Sequence, residues 1–420
     1  MISNYQGLKR MENLEKKADK FYRIEGEIQK YDWGGTRFIP NLISEKNTTN
    51  DPYAEYWLGA HLKAPSTIKI ADESISLASF FNENPLENLG LEVAKTYGKL
   101  PYLFKVLDVS KMLSIQVHPT KEAAAIGYAI ENEKGISLTA ANRNYKDKNH
   151  KPELMVALTD FWLLHGFLTR EKLIQNIKAT PELHFLLTTF LEAGYLGLYK
   201  KVMAYSQEEV NLILKPLVDR IIPKFLKKEL DKSSPAYWTA KSLENKETKN
   251  LDRGIFSIYF FNIVNLSRGE AVFQDAGVPH AYLEGVNMEL MANSDNVLRA
   301  GLTSKHIDVV ELIKNTKFEA TIPVVLNGIE NKENGEVVFK TSAKDFELSK
   351  IVLTQAITHH AHANSVELLI LLEGTATFTQ KNEVMSLKKG EAILIKPNTA
   401  YEIKTPTQVE IYKASVPKLT

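Results

Sequence analysis

The sequence predicts a mainly β protein with a helical insertion, and three observations carry that expectation. Apolar runs rich in Val, Ile, Leu, Phe and Tyr, bounded by Gly, Pro, Asn or Asp, recur at Leu100–Asp108, Leu113–His118, Leu154–Leu158, Ile255–Leu266 and across Val337–Thr420. From Thr169 to about Lys249 capping signals recur instead, with helical spacing of Leu and Ile after each. The 420 residues also exceed one ordinary core, so two or three are expected. The expected division is an N-terminal extension over 1–20, a discontinuous β unit over 21–168 and 251–327, a helical insertion over 169–250, and a second β unit over 328–420.

Composition narrows the partners. Lys+Arg of 52 against Asp+Glu of 51 leaves a net charge of +1, so no global field recruits nucleic acid or an anionic membrane. Anion binding must be local. Zero cysteines exclude disulfides, thiolate metal sites and thiol nucleophiles together, leaving His, carboxylate and amide oxygen as metal ligands. The longest apolar stretch, Ile255 to Leu266, is interrupted by Ser257, Asn262 and Asn265 and falls short of a membrane span. The first twenty residues are polar, with no signal-peptide core, and read as a frayed or helical extension in which Met11 could be the natural start. The expectation is a cytoplasmic monomer acting on a small molecule, with no nucleic acid and no membrane partner.

Taken in order, Tyr31-Asp32-Trp33-Gly34-Gly35 is an aromatic turn, and Glu55 to His61 follows with a histidine beside Gly and Trp that reads as structural. In the buried strand Leu100–Asp108, Lys105 is the exception, either snorkelling or paired with an anion in a cleft. Leu113–His118 alternates, with Leu113, Ile115 and Val117 on one face and Ser114, Gln116 and His118 on the other. Gln116 and His118 are thus spaced roughly 6.6 Å along a strand, close enough to converge on one ion. Thr120 caps a helix rich in Lys, Glu and Ala. Glu153, after His150-Lys151-Pro152, stands at the mouth of a buried strand and needs a cation.

The insertion is marked by Thr180-Pro181-Glu182 and the capping box Ser206-Gln207-Glu208-Glu209. Ile255 to Leu266 reads as a strand, and Gly269 to Tyr282 places His280 and Tyr282 on one face of another. Asn287 to Thr303 is dense in polar groups, Gly328 to Glu336 is a polar linker, and short strands with turns follow.

Two of these stretches resemble the two-part metal pattern of the cupins. Gly269 to His280 is similar to its second part, with Asp275 where Pro is usual, and Gln116-x-His118 resembles the His-x-His of its first. The resemblance implies two cupin-like jelly-roll β-barrels plus an α-helical domain, and the ligands Gln116, His118, Glu153 and His280, a set whose chemistry suits one zinc ion per chain. In the C-terminal unit His360-Ala361-His362, Glu367 and Gly374 fit the first part again, but Tyr401 stands where the last His belongs. That roll is expected not to bind metal.

A closer resemblance follows. Gln116-Val117-His118-Pro119, His150-Lys151-Pro152-Glu153, Pro279-His280-Ala281-Tyr282 and Asp295 to Thr303 are similar, in order, to the signature blocks of the type I phosphomannose isomerase family, as are Tyr31–Gly34, Glu55–His61 and Leu103–Leu107. This implies interconversion of mannose 6-phosphate and fructose 6-phosphate through an enediol, with Arg299 in the active site. It also implies Ser114, Lys105 and Lys151 as substrate contacts, with Tyr282 and Glu289 completing the pocket. The proton-transferring base stays open among Glu289, Asp295, Lys151 and a water at the ion. A cupin oxygenase using iron and a non-catalytic sugar-phosphate binder are the alternative readings. Gln116 argues against the first, because a neutral amide is a poor partner for oxygen-activating iron.

Overall fold

The computed structural model describes residues 19–70, 73–244 and 249–418. All of the expected N-terminal extension but Asp19 and Lys20, together with the alternative start at Met11, lies outside them. Among the described residues the strands form sheets of nine, ten and four strands, with helices set between them, so the mainly β reading holds.

The ten-stranded sheet carries the chemistry, and its centre is the long strand His280–Ala292. It is flanked by Tyr102–Val109 on one side and Glu153–Ala157 on the other, with Glu289 opposite both Lys105 and Met155. At its start His280 faces both Gln116 of Ile115–Val117 and His165 of Phe161–Phe167. Leu298–Gly301 extends this edge by pairing Arg299 with Gln116.

The nine-stranded sheet joins the two ends of the chain. The strand Phe21–Glu25 pairs with Ala392–Ile395 in the register Phe21 to Ile395, and Thr67–Ile70 and Glu73–Ser76 continue the sheet beyond it. Its other strands come from Ile329 onward. One apolar core then crosses both sheets, with Leu154, Val156 and Leu290 packed in the same cluster as Phe346, Leu368 and Tyr412. Burial on this scale ties the β units together far more strongly than surface contacts could.

Between the strands Phe161–Phe167 and Phe261–Leu266 lie the helices Arg170–Ala179, Leu186–Ala204, Gln207–Leu226 and Pro235–Ser242. The capping box is formed: Ser206 Oγ accepts from Glu209 N at 3.2 Å and Glu209 Oε2 accepts from Ser206 N at 2.7 Å. Thr120 likewise caps Lys121–Glu133 by accepting from Ala123 N at 3.1 Å.

Three stretches differ from the sequence reading. The strand around Gln116 covers only Ile115–Val117, and Leu113 turns to the site side while Ile115 and Val117 enter the core beneath the helices. Alternation fails there because the chain before Ile115 has left the ladder. The run Ile255–Leu266 splits into a helix, Gly254–Phe260, and a strand, Phe261–Leu266. Every residue of that helix is buried, so it has no polar face from which a helical period could be read. The polar linker after Gly328 contains the edge strand Ile329–Asn331, held by Glu336–Phe339.

The helix Gly254–Phe260 also sets the end of the Arg299 strand. Gly301 has φ of 135°, and a Cβ there would come within 2.4 Å of Gly254 Cα. Asp252 fixes this crossing, its carboxylate accepting from the backbone N–H of Gly254, Leu302 and Thr303 at 2.6, 2.8 and 2.9 Å.

Candidate metal and sugar-phosphate site

Strand pairing builds the site in a row. Residues opposed across neighbouring strands point to the same face, so Arg299, Gln116, His280 and His165 stand side by side across four strands. His118, two residues beyond Gln116, and Glu153, on the strand entering from below, complete the cluster. Ligand atoms of His118, Glu153 and His280 all lie within 4.8 Å of one another, and all three residues are buried.

The histidine tautomers are set by backbone carbonyls. Nδ1 of His118 donates to the carbonyl of Asn296 at 2.9 Å, and Nδ1 of His280 donates to the carbonyl of Val278 at 2.9 Å. Both Nε2 atoms therefore present lone pairs, each 3.3 Å from a different oxygen of Glu153. His118 Nε2 is buried and has no hydrogen-bond partner among the described residues. Burial pushes His118 down to about 4, so the ring is neutral at pH 7. Burial works against the charge of Glu153, but Lys151 and His118 outweigh it and hold the carboxyl well below its usual range. Two imidazole lone pairs thus converge on a carboxylate, an arrangement of acceptors with no proton between them. Gln116 lines the same cleft and offers an amide oxygen. A divalent ion with nitrogen and hard oxygen ligands fits this donor set, and zinc is the ion whose preferences it meets.

A second charged cluster forms the cleft wall. Lys105 Nζ lies 3.0 Å from Glu289 Oε2 and 3.3 Å from Glu55 Oε2. Burial opposes its charge, yet the two carboxylates prevail and its pKa is raised. Tyr282 OH donates to Glu289 Oε1 at 2.7 Å and accepts from Gln274 Nε2 at 3.2 Å. Burial raises Glu289, with Lys105 opposing that shift and Glu153 adding to it. Lys151 Nζ stands 2.8 Å from Glu153 Oε1 and reaches the same cleft. Lys105 is therefore paired rather than snorkelling, and the cation that Glu153 requires is present as Lys151.

 Of the residues expected from sequence, the cleft is lined by Gln116, Lys105, Lys151, Glu153, His280, Tyr282 and Glu289, with Glu55, Leu107 and Leu113 beside them. His118 sits behind it, fully buried. Ser114 and Arg299 are not among the lining residues: Arg299 stands next to Gln116 in the row, half-buried, and burial lowers its pKa. Asp295 is held away by His61 Nε2 at 3.5 Å and Lys63 Nζ at 2.8 Å, which outweigh burial and lower its pKa. Sequence reasoning passed over Glu55, whose signal was its place opposite the Lys105 strand, and His165, whose place beside His280 only strand register reveals.

In the C-terminal unit the strand His359–Ala363 turns His360 and His362 outward and His359 inward. Glu367 faces the interior, where Tyr401 OH donates to it at 2.7 Å and Lys413 Nζ lies 3.9 Å away and 2.7 Å from Glu336. His360, His362 and Glu367 do not converge, and an ammonium occupies the interior.

A family model described as phosphomannose isomerase type I, catalytic domain, matches residues 21–170, and a cupin domain model matches 353–412. Mannose-6-phosphate isomerase of Escherichia coli is 38% identical over 90% of this chain and 95% of its own, and that of Mus musculus 32% over 94% and 99%. A crystal structure of mannose 6-phosphate isomerase from Salmonella typhimurium, bound to fructose 6-phosphate and zinc, superposes with a TM-score of 0.85 at 32% identity, covering 95% of this chain and 100% of that one.

Proposed function

The chain belongs to the type I phosphomannose isomerase family, and from that premise we propose how its residues carry the reaction. It is a zinc-dependent aldose-ketose isomerase that interconverts mannose 6-phosphate and fructose 6-phosphate. The observation that carries this reading is the convergence of His118, Glu153 and His280 on one point at the floor of a lysine-walled cleft. A zinc ion in that cradle supplies Lewis-acid stabilisation of negative charge on the sugar oxygens.

The reaction moves a proton between C2 and C1 through an enediol, and its barrier is the weak acidity of a carbon beside a carbonyl. Arg299 is assigned to the reacting sugar, where a planar guanidinium stabilises enediolate charge or grips phosphate through two N–H groups. Lys105, Lys151 and Ser114 are assigned to substrate binding, with Tyr282 and Glu289 shaping the pocket. The proton is assigned to a group that reaches the cleft. Glu289 and Lys151 do, whereas Asp295 is engaged by His61 and Lys63. Gln116 supports the metal reading because an amide oxygen suits a Lewis acid without redox demands.

A coupled assay of mannose 6-phosphate isomerisation tests the reading, run on the protein as purified, after chelation, and with zinc restored. Turnover that is lost on chelation and recovered with zinc is the expected result. Sugar-phosphate binding without turnover would leave a binding protein instead.

A further inference from the structure

His150 opens the segment that carries Lys151 and Glu153, and its ring is held from the far end of the chain. Its Nε2 lies 2.8 Å from Oδ2 of Asp345. Asp345 is 3% exposed, and His150 is its only hydrogen-bond partner among the described residues. A carboxylate this deep keeps a donor tightly, because losing it leaves a buried charge unpaired.

The mount behind Asp345 is rigid. Phe346 is packed in the core that also holds Leu154 and Val156, and the carbonyl of Lys344 accepts from Tyr97 OH at 2.8 Å. The chain on either side of His150 is gripped separately. Asn296 Oδ1 accepts from the N–H of Lys146 at 2.7 Å, its Nδ2 donates to the carbonyl of Asn149 at 2.9 Å, and Ala292 N–H donates to the carbonyl of Pro152 at 3.1 Å. Between those anchors Asp345 holds the His150 ring, next in the chain to Lys151, whose ammonium meets Glu153 Oε1 at 2.8 Å.

We propose that Asp345 is a positioning residue for Lys151: acting through His150, it sets where the Lys151 ammonium stands in the cleft. This rests on the isomerase reading and assigns the C-terminal unit a part in substrate binding, although His360, His362 and Glu367 do not converge on a metal. Lys151 touches Glu153 but is outside the His118, Glu153 and His280 set, which the Asn296 and Val278 carbonyls and the strand pairing of Glu153 with Gln274 hold independently, so a shift in Lys151 weakens the grip on an anionic substrate while the ion's ligands stay together.

Kinetics with bound zinc and melting temperature measured on the same samples test this. Asp345→Ala is expected to raise KM for mannose 6-phosphate about fivefold, with kcat and zinc per chain within about twofold of wild type. Asp345→Asn keeps an oxygen acceptor for Nε2–H and is expected to restore most of the loss. His150→Ala should reproduce the Asp345→Ala effect, and the double variant should be no worse than either single one. An unchanged KM for Asp345→Ala, assayed well below its melting temperature, overturns the proposal, as does full additivity in the double variant. If Asp345→Ala does not fold, His150→Ala and Asp345→Asn decide the matter. A wild-type protein loaded with zinc but without turnover would sink the isomerase reading instead.

Discussion

His118 and Glu153 meet acceptor to acceptor: the imidazole Nε2 stands 3.3 Å from Oε1 of the carboxylate, while Nδ1 is committed to the Asn296 carbonyl. No proton is placed to join them when the ring is neutral, so an ion held between them stabilises the folded chain. Removal of zinc should lower the melting temperature, and saturating zinc at a thousand times its dissociation constant should restore about 4 kcal/mol. Glu153→Gln should lose both the bound metal and this response, as read by elemental analysis and thermal denaturation.

Arg299 neighbours Gln116 in the row, and its assigned role depends on a planar fork. Arg299→Lys keeps the charge and removes that geometry. A fall in kcat/KM of about a hundredfold is expected, and steady-state rates near wild type would withdraw the bidentate role.

Lys105 neutralises two buried carboxylates, Glu55 and Glu289. Lys105→Met should therefore cost about 3 kcal/mol or more at pH 7 by urea denaturation. The loss should shrink as pH falls, because protonating Glu289, whose pKa burial already raises, removes the uncompensated charge. A pH-independent loss would point to packing.

Asp108 supplies a slope of opposite use. Burial raises its carboxyl from 3.8 to about 6, against the hydrogen bond from Phe38 N–H. The folded state then binds the proton more tightly than the unfolded one, so stability falls as pH rises from about 4 to about 6 and stays lower above that. Asp108→Asn should remove this contribution, about 3 kcal/mol, and flatten that part of the stability profile.

His360 and His362 point outward, and Lys413 occupies the interior behind them. Replacing both histidines with alanine should leave the metal content at one ion per chain. A stoichiometry above one that dropped in this variant would show a second site in the C-terminal unit.

The mainly β architecture, the helices between Arg170 and Ser242, and the cap at Thr120 were legible because each leaves a local signature of period or capping. The helix Gly254–Phe260 was not, since full burial on every side erases the period that separates helix from strand. Leu113 was misplaced for a related reason: alternation predicts a face only while the backbone stays in the ladder, and the strand begins at Ile115.

By itself the sequence determined which groups could bind an ion, because the absence of cysteine confines ligation to nitrogen and hard oxygen, and it determined the order of the blocks that mark the family. Only the tertiary structure decided which of those groups meet. Strand register set His280 beside both Gln116 and His165, packing paired Lys105 with Glu55 and Glu289, and the C-terminal unit brought Asp345 to His150. These contacts join residues up to 195 positions apart. Their geometry follows from pairing and burial across the whole fold, which no local pattern of residues encodes.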